Sequence, residues 1–198
     1  MTIIHYNHAA FMLSVANLKQ LPADQGIEVA IVGRSNAGKS SILNCLTHNK
    51  NLARVSKTPG RTQHINLFAL DEHRRLADLP GYGYAKVPDE IKRNWQALLD
   101  NYLRSRECLR GLLLVMDIRH PLKDFDQQLL MWCSSCNLPV HILLNKSDKL
   151  SKSGIAKTLL DVSDAVNCFQ NPVTLQAFSA LKNTGIKELR EKLNEWYS

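Results

Sequence analysis

A chain of 198 residues, 44% of them hydrophobic, is long enough to bury one sizeable core and too apolar to stay disordered. No apolar run approaches the roughly 20 residues of a membrane span, and Met1-Thr2-Ile3-Ile4-His5-Tyr6-Asn7-His8 lacks the basic start and clean apolar stretch of a secretory leader, so a cytoplasmic protein is expected. The formal net charge of +7 suits a polyanionic partner such as RNA as well as plain solubility.

In chain order, residues 1–26 have no clear period. Phe11-Met12-Leu13 and Val15-Leu18 read as a short strand or turn packed on the domain, and Leu21-Pro22-Ala23-Asp24-Gln25-Gly26 reads as a loop. Residues 28–32 form a buried strand that breaks at Gly33 into Gly33-Arg34-Ser35-Asn36-Ala37-Gly38-Lys39-Ser40-Ser41. This is G-x-x-x-x-G-K-S, a phosphate-binding P-loop. Its glycines keep Cβ atoms away from the anion, and the helix that opens near Lys39 turns free N–H groups and its positive end toward it. Lys39 reaches the β- and γ-phosphates and the Ser40 hydroxyl meets Mg²⁺. The helix runs to residue 47, with Ile42, Leu43 and Leu46 inward.

Residues 48–63 carry His48, Lys50, Arg54, Lys57 and Arg61, broken by Pro59-Gly60. No period stands out, so a long basic loop is expected. Residues 65–69 and 75–80 read as two strands joined by a turn at Asp71-Glu72-His73-Arg74, close enough to pair antiparallel. After the loop 81–86, Pro88 opens a helix with Asp89 and Glu90 in its first turn and Ile91, Trp95, Leu98, Leu99 and Tyr102 along one face. Its end is basic, with Arg104, Arg106 and Arg110 nearby. Residues 111–117 are a continuous apolar strand, as a sheet covered on both faces requires. A helix near 125–136, a strand at 140–144, a helix near 152–169, a strand near 173–178 and a last helix with Ile186, Leu189, Leu193 and Trp196 on one face complete the alternation. Strand–helix alternation of this kind means an α/β layer with a mostly parallel sheet.

The five cysteines, Cys45, Cys108, Cys133, Cys136 and Cys168, are odd in number and scattered, which argues against a secreted disulfide framework. Trp132-Cys133-Ser134-Ser135-Cys136 has the spelling of a redox pair, but such thiols belong at a helix start, where the dipole lowers their pKa. Here the spacing of Phe125, Leu129, Trp132, Cys133 and Cys136 puts them near a helix end, as reduced thiols on its core-facing side. No second pair has the spacing for zinc.

Three later stretches narrow the P-loop's ligand. Asp78-Leu79-Pro80-Gly81 ends a strand, where an Asp holds the Mg²⁺ shell through water and the Gly81 N–H meets the γ-phosphate. Asn145-Lys146-Ser147-Asp148 ends another. The Asp148 carboxylate can accept two hydrogen bonds from the guanine N1–H and 2-amino group, which adenine cannot offer, and an unpaired buried carboxylate is costly. Lys146 can lay its stem along the base, and Asn145 can tie this loop to the P-loop. Ser179-Ala180-Leu181-Lys182 ends the last strand, where the Ala180 N–H can donate to guanine O6. All these loops fall at the carboxyl ends of strands, where open α/β sheets bind ligands. A further Mg²⁺ ligand that engages only with the γ-phosphate lies in 48–63, with Thr58 and Thr62 as candidates that spacing does not separate.

The strings 33–41, Thr58-Pro59-Gly60-Arg61-Thr62-Gln63, Asp78-Leu79-Pro80-Gly81-Tyr82-Gly83-Tyr84-Ala85 and Met116-Asp117-Ile118-Arg119-His120-Pro121 together resemble the bacterial EngB GTPases, of the TrmE–Era–EngA–EngB–septin-like class. The resemblance covers roughly residues 10–198. It implies a single α/β domain of the Ras-like, three-layer P-loop type, with a mostly parallel six-stranded sheet, one antiparallel strand, helices on both faces and residues 1–26 packed on it. It also implies GTP/GDP binding with Mg²⁺ and a role in assembly of the large ribosomal subunit, with a subunit precursor or its rRNA as partner, and with cell division and septation. On this resemblance Ser40 and Thr62 bind Mg²⁺ directly and Asp78 binds it through water. Gly60, Arg61 and Thr62 lie near the γ-phosphate. Asn145, Lys146, Ser147 and Asp148 read the base, with Phe178, Ser179 and Ala180 behind it. A monomer without membrane attachment is expected.

Hydrolysis needs a positioned water and neutralised charge. Ras-like proteins place a Gln after D-x-x-G, and here that residue is Tyr82, so a slow intrinsic rate is expected. Related GTPases with an apolar residue there use K⁺ held partly by a P-loop Asn, and Asn36 occupies the matching position, which makes K⁺ dependence testable. Lys39, Thr62, Gly81 and Asn36 are the candidates for stabilising the transition state or holding K⁺, and no general base is visible. A nucleotide-binding scaffold without turnover is the competing reading.

Overall fold

The computed structural model describes residues 4–53, 64–83 and 89–198, with side chains given from 93 onward in the last segment. The candidates Thr58, Gly60, Arg61 and Thr62, and the residues 84–88, lie outside the described residues.

The strands are β1 (Ala10–Val15), β2 (Ile27–Gly33), β3 (Ile65–Ala69), β4 (Arg74–Asp78), β5 (Leu109–Asp117), β6 (Val140–Asn145) and β7 (Val173–Ala177). The helices are α1 (Lys39–Thr47), α2 (Asp89–Ser105), α3 (Asp124–Ser135), α4 (Lys152–Val166) and α5 (Ile186–Trp196). One seven-stranded sheet runs in the order β1-β3-β4-β2-β5-β6-β7. Only β3 runs against its neighbours: it pairs antiparallel with β4 (Leu67↔Ala77) and with β1 (Val15↔Ile65), while the other pairings are parallel.

The sheet separates two cores, and the period of two along β5 shows how. Leu112, Leu114 and Met116 face the core shared with Tyr102 of α2, Leu129 and Cys133 of α3 and Val162 of α4. Leu113 and Val115 face the core shared with Ile42, Leu43 and Leu46 of α1 and Leu189 and Leu193 of α5. Each such leucine, fully buried, contributes on the order of 2 kcal/mol through removal of apolar area from water.

Among the described residues the sheet has seven strands where six were expected, and β1 is the addition. It is an edge strand whose Phe11 is 57% exposed and Met12 43% exposed, with a bulge between Phe11 and Leu13. Such a strand lacks the alternation that marks a half-buried one. The segment around it is stitched to the domain by side chains: Tyr6 Oη donates to Asn194 Oδ1 at 2.8 Å, and Asp24 accepts the Glu107 and Cys108 N–H groups, both at 2.9 Å.

Helix α4 stops three residues before the expected 169, at Val166, where the chain turns with Phe169 N–H on Val166 O. Cys133 is fully buried on α3, and burial drives its thiol far above the ordinary range, opposite to a reactive thiolate. Among the described residues no group of His, Cys, Asp or Glu has the arrangement of a metal site, and no helix is long and apolar enough to cross a membrane.

Arg106, expected as part of a basic helix end, is buried instead. Its Nε lies 3.1 Å from Glu28 Oε1 and its Nη2 3.2 Å from Oε2. The same carboxylate accepts Arg75 Nε at 3.1 Å and Tyr102 Oη at 2.6 Å. Glu28 is 0% exposed, so this ion cluster anchors the amino end of β2 away from the P-loop.

Candidate functional site

The P-loop follows from β2 being central and apolar. Gly33 ends the strand so close to β5 that an added Cβ would lie 2.5 Å from Val115 O. Gly38 caps α1 in the left-handed region, φ 103°, and a Cβ there would meet Asn145 Nδ2 at 2.2 Å. Between them Arg34 and Asn36 are exposed, Ser35 is half-buried and Ala37 is buried, with Ala37 N–H on Arg34 O at 3.0 Å. Asn36 is itself left-handed, φ 64°, a conformation that Asn tolerates better than most side chains.

Lys39 opens α1, and its Nζ is hydrogen-bonded and ion-paired to Asp78 Oδ1 at the end of β4. Ser40 is the next residue of α1, half-buried. Leu79 and Pro80 are buried and Gly81 is half-buried, with Leu79 N–H on Ile31 O at 2.9 Å. The turn after β4 therefore leaves the sheet beside the P-loop.

Asn145 joins three loops. From the end of β6 its Nδ2 donates to Ala37 O at 2.7 Å, and its Oδ1 accepts Ala180 N–H at 3.3 Å. Lys146, left-handed at φ 66°, sends Nζ to Asn36 O at 2.7 Å. Ser147 is buried and donates its N–H to Phe178 O at 3.0 Å. Asp148 Oδ1 accepts Ser179 Oγ at 2.6 Å, and its Oδ2 lies 3.3 Å from Lys149 Nζ. The Ser179 hydroxyl, with Lys149 beside it, holds the Asp148 carboxyl below the usual carboxylate range, so it is ionised and acceptor-only near neutrality. Phe178 and Ser179 are buried behind it, and Ala180 is half-buried at the rim.

Two further groups carry structure at the site that sequence reasoning assigned no role. Asp117 ends β5 directly beside Asn145 in the parallel register. Its carboxylate takes Arg119 at 2.9 and 2.7 Å and lies 3.0 Å from Lys146 Nζ, and these donors hold its pKa far below the usual range. Asp117 thus fixes the Lys146 amine between β5 and the P-loop carbonyl. The available signal was an acidic residue ending the strand next to the one that carries Asn145-Lys146. The other group is Asp126, buried on α3, which accepts the Tyr82 hydroxyl. Tyr82 itself is 4% exposed and packed between Phe125 and Trp95, so its phenol points into the core and not toward the P-loop.

The ends of β2, β4, β6 and β7 thus bring together the P-loop, one ammonium paired with one carboxylate (Lys39 and Asp78), and a second carboxylate, Asp148, engaged by Ser179 and Lys149. Such a site suits a phosphorylated ligand with a base that donates two hydrogen bonds.

Comparison with known proteins agrees. The profile of a family described as 50S ribosome-binding GTPase matches residues 28–146. A probable GTP-binding protein EngB of Coxiella burnetii is 54% identical over 193 residues, spanning 98% of this chain and 94% of that one. Its counterpart in Salmonella paratyphi B is 54% identical over 199 residues, spanning 100% and 94%. The crystal structure of a probable GTP-binding protein EngB superposes with a TM-score of 0.70 at 20% identity, over 86% of this chain and 98% of that one, a likeness of fold.

Proposed function

The chain belongs to the EngB family of GTP-binding proteins, and from that premise we propose that it is a slow, Mg²⁺-dependent GTPase switch that works on the large ribosomal subunit during its assembly. The observation that carries the reading is the knot at Asn145, which holds the P-loop at Ala37 and the Ala180 loop to one side chain beside Asp148. Phosphate and base sites fused in this way support a guanine nucleotide held at both ends.

The P-loop amides and Lys39 would bind the β- and γ-phosphates, with Lys39 leaving Asp78 for the nucleotide. Ser40 and Asp78 offer the hard oxygen donors that Mg²⁺ prefers, so the residues present fit that ion. Mg²⁺, when bound, neutralises charge on the transferring phosphoryl group. Asp148 would take the guanine N1–H and 2-amino group once Lys149 swings aside, and Ala180 N–H would turn from its long bond to Asn145 toward O6. Thr62 would join Ser40 as a direct Mg²⁺ ligand, and the Gly81 N–H would meet the γ-phosphate.

The slow rate is supported by Tyr82, whose hydroxyl is committed to Asp126 and leaves the position after Gly81 without a group to orient water. The same feature favours a second reading, a nucleotide-binding scaffold without significant turnover. A ribosomal partner is supported by the net charge of +7 and by the exposed Arg34, Arg119 and Lys149 around the site, which suit salt-dependent contact with rRNA phosphates. Cytoplasmic action as a monomer, with cell division and septation affected downstream, completes the proposal.

Co-sedimentation with large-subunit precursors at fixed salt is the test. The GTP-analogue form should pellet with the particles and the GDP form should not; equal pelleting in both forms would overturn the switch. Multiple-turnover phosphate release separates enzyme from scaffold. The same assay in K⁺ and in Na⁺ tests Asn36, an exposed residue of the P-loop; equal rates would remove K⁺ from the account.

A further inference from the structure

Tyr82 is held from both sides. Its N–H points to Gly33 O at 3.4 Å and its carbonyl accepts Ser35 N–H at 2.7 Å, extending the parallel pairing of β2 with β4 to Arg34 and Tyr82. Its ring turns the other way, centred 4.5 Å from Phe125 and 5.6 Å from Trp95. The phenol donates to Asp126 Oδ1, while Lys123 N–H donates to Oδ2 at 2.8 Å. Trp95 Nε1 adds a bond to Pro80 O at 3.2 Å. Burial, with Asp126 alongside, keeps the phenol protonated far above its usual range, so it remains the donor.

We propose that the Tyr82–Asp126 hydrogen bond is a latch that holds the chain after β4 against the P-loop, in a conformer that excludes the γ-phosphate, and so biases the site toward GDP. The inference rests on the guanine-nucleotide reading above. A γ-phosphoryl group bound by both the P-loop amides and the Gly81 N–H has to stand between those two segments. Here they touch directly, since Ser35 N and Tyr82 O are 2.7 Å apart, a hydrogen bond that an anion set between Ser35 and Tyr82 would have to break. GTP has to part them, and parting them draws the Tyr82 main chain against its buried phenol. GDP ends at the β-phosphate, lower in the P-loop, and leaves the contact standing. A bond present in only one of two states shifts their equilibrium by its own free energy. Asp126 and Tyr82 are therefore positioning residues, distant from the reacting atoms and acting through the Gly81–Tyr82 main chain.

The experiment measures Kd for GDP and for a non-hydrolysable GTP analogue on the full chain and on Tyr82→Phe, Asp126→Ala and the double variant. In Tyr82→Phe the affinity for the GTP analogue relative to GDP should rise about tenfold, the effect of one buried hydrogen bond to a charged group. Asp126→Ala should shift the ratio by a similar factor, and the double variant by no more than either single one, because the same bond is lost once. A ratio unchanged within about twofold in a Tyr82→Phe protein with a normal urea midpoint would overturn the latch, as would additive shifts in the double variant. Asp126→Ala also removes the acceptor for Lys123 N–H, so a second measurement uses the wild-type chain. The ring resonance of labelled Tyr82, assigned by its loss in Tyr82→Phe, should move with the GTP analogue and stay with GDP; the same position in both would overturn the latch. A wild-type chain that binds neither nucleotide would overturn the nucleotide reading itself, which a failed latch would leave intact.

Discussion

Replacing Asn145 by alanine removes both hydrogen bonds of the side chain that ties the P-loop to the Ala180 loop. Asn145 is 3% exposed. The bond from its Nδ2 to Ala37 O is 2.7 Å and buried, and the bond from Ala180 N–H to its Oδ1 is 3.3 Å. The first is a well-formed buried bond, and deleting its donor strands a carbonyl in a residue 2% exposed, which together cost about 1.5 kcal/mol. The second, at the long end of the range, is worth about 0.5 kcal/mol. The sum, about 2 kcal/mol, is about thirtyfold in affinity if all of it falls on the bound state. Both bonds exist in the protein alone, so part of the loss falls on folding. Calorimetric titration with GDP, beside urea unfolding of the free chain, should show affinity down about fivefold and stability down about 1 kcal/mol. A folded Asn145→Ala protein that binds GDP within about twofold of wild type would refute the reasoning, since the knot would then carry no binding energy.

Gly38→Ala places a methyl where Asn145 Nδ2 sits, 2.2 Å away, on a backbone at φ 103°; it should cost more GDP affinity than Asn145→Ala in the same titration. Glu28→Ala strands Arg75 and Arg106 in the core and should cost about 3–5 kcal/mol in urea, whereas GDP affinity of the folded protein should hold, because the cluster lies at the far end of β2. His141 is 4% exposed, and burial lowers its pKa from 6.5 to about 4. Its Nε2 donates to Gln176 Oε1 (2.9 Å) and its Nδ1 accepts from Thr174 (2.8 Å), as a neutral ring does. The unfolded chain binds this proton first, so stability is full above about pH 6.5 and falls as pH drops toward 4. Urea midpoints at pH 7.5 and 4.5 should show a loss of roughly 2–3 kcal/mol that His141→Gln lacks; equal losses in the two proteins would rule His141 out as the source.

Among the described residues several local periods and motifs fall where the sequence places them. The alternation of residues 65–69 and the run 75–80 correspond to the β3–β4 hairpin, β4 ending at Asp78, two residues short of the run's end, and the apolar run 111–117 corresponds to β5, two residues longer at its start. The strings 33–40, 78–81, 145–148 and 178–180 fall at neighbouring strand ends because a parallel sheet aligns its carboxyl ends. What could not be read depends on pairs distant in sequence. Glu28 meets Arg75 and Arg106, and Tyr82 meets Asp126, only after the sheet has formed. Arg106 looked like a surface charge because its helix ends in basic residues, and no local pattern marks an arginine that will be paired inside. Tyr82 was recognised as the wrong residue to orient water, but not as a buried anchor, since a tyrosine next to two glycines looks exposed. Edge strand β1 was half-legible for a related reason: with one face and one edge in solvent, its apolar residues need not alternate.

The measurement that bears most directly on the central claim is a paired calorimetric titration of the purified chain with GDP and with ADP in the same Mg²⁺ buffer. Asp148, ionised and hydrogen-bonded to Ser179 where the loops 145–148 and 178–180 meet, predicts in the proposed reading tight GDP binding and ADP weaker by about 10⁴, the discrimination of a site built around a base's hydrogen bonds. Comparable affinities for the two nucleotides would contradict it.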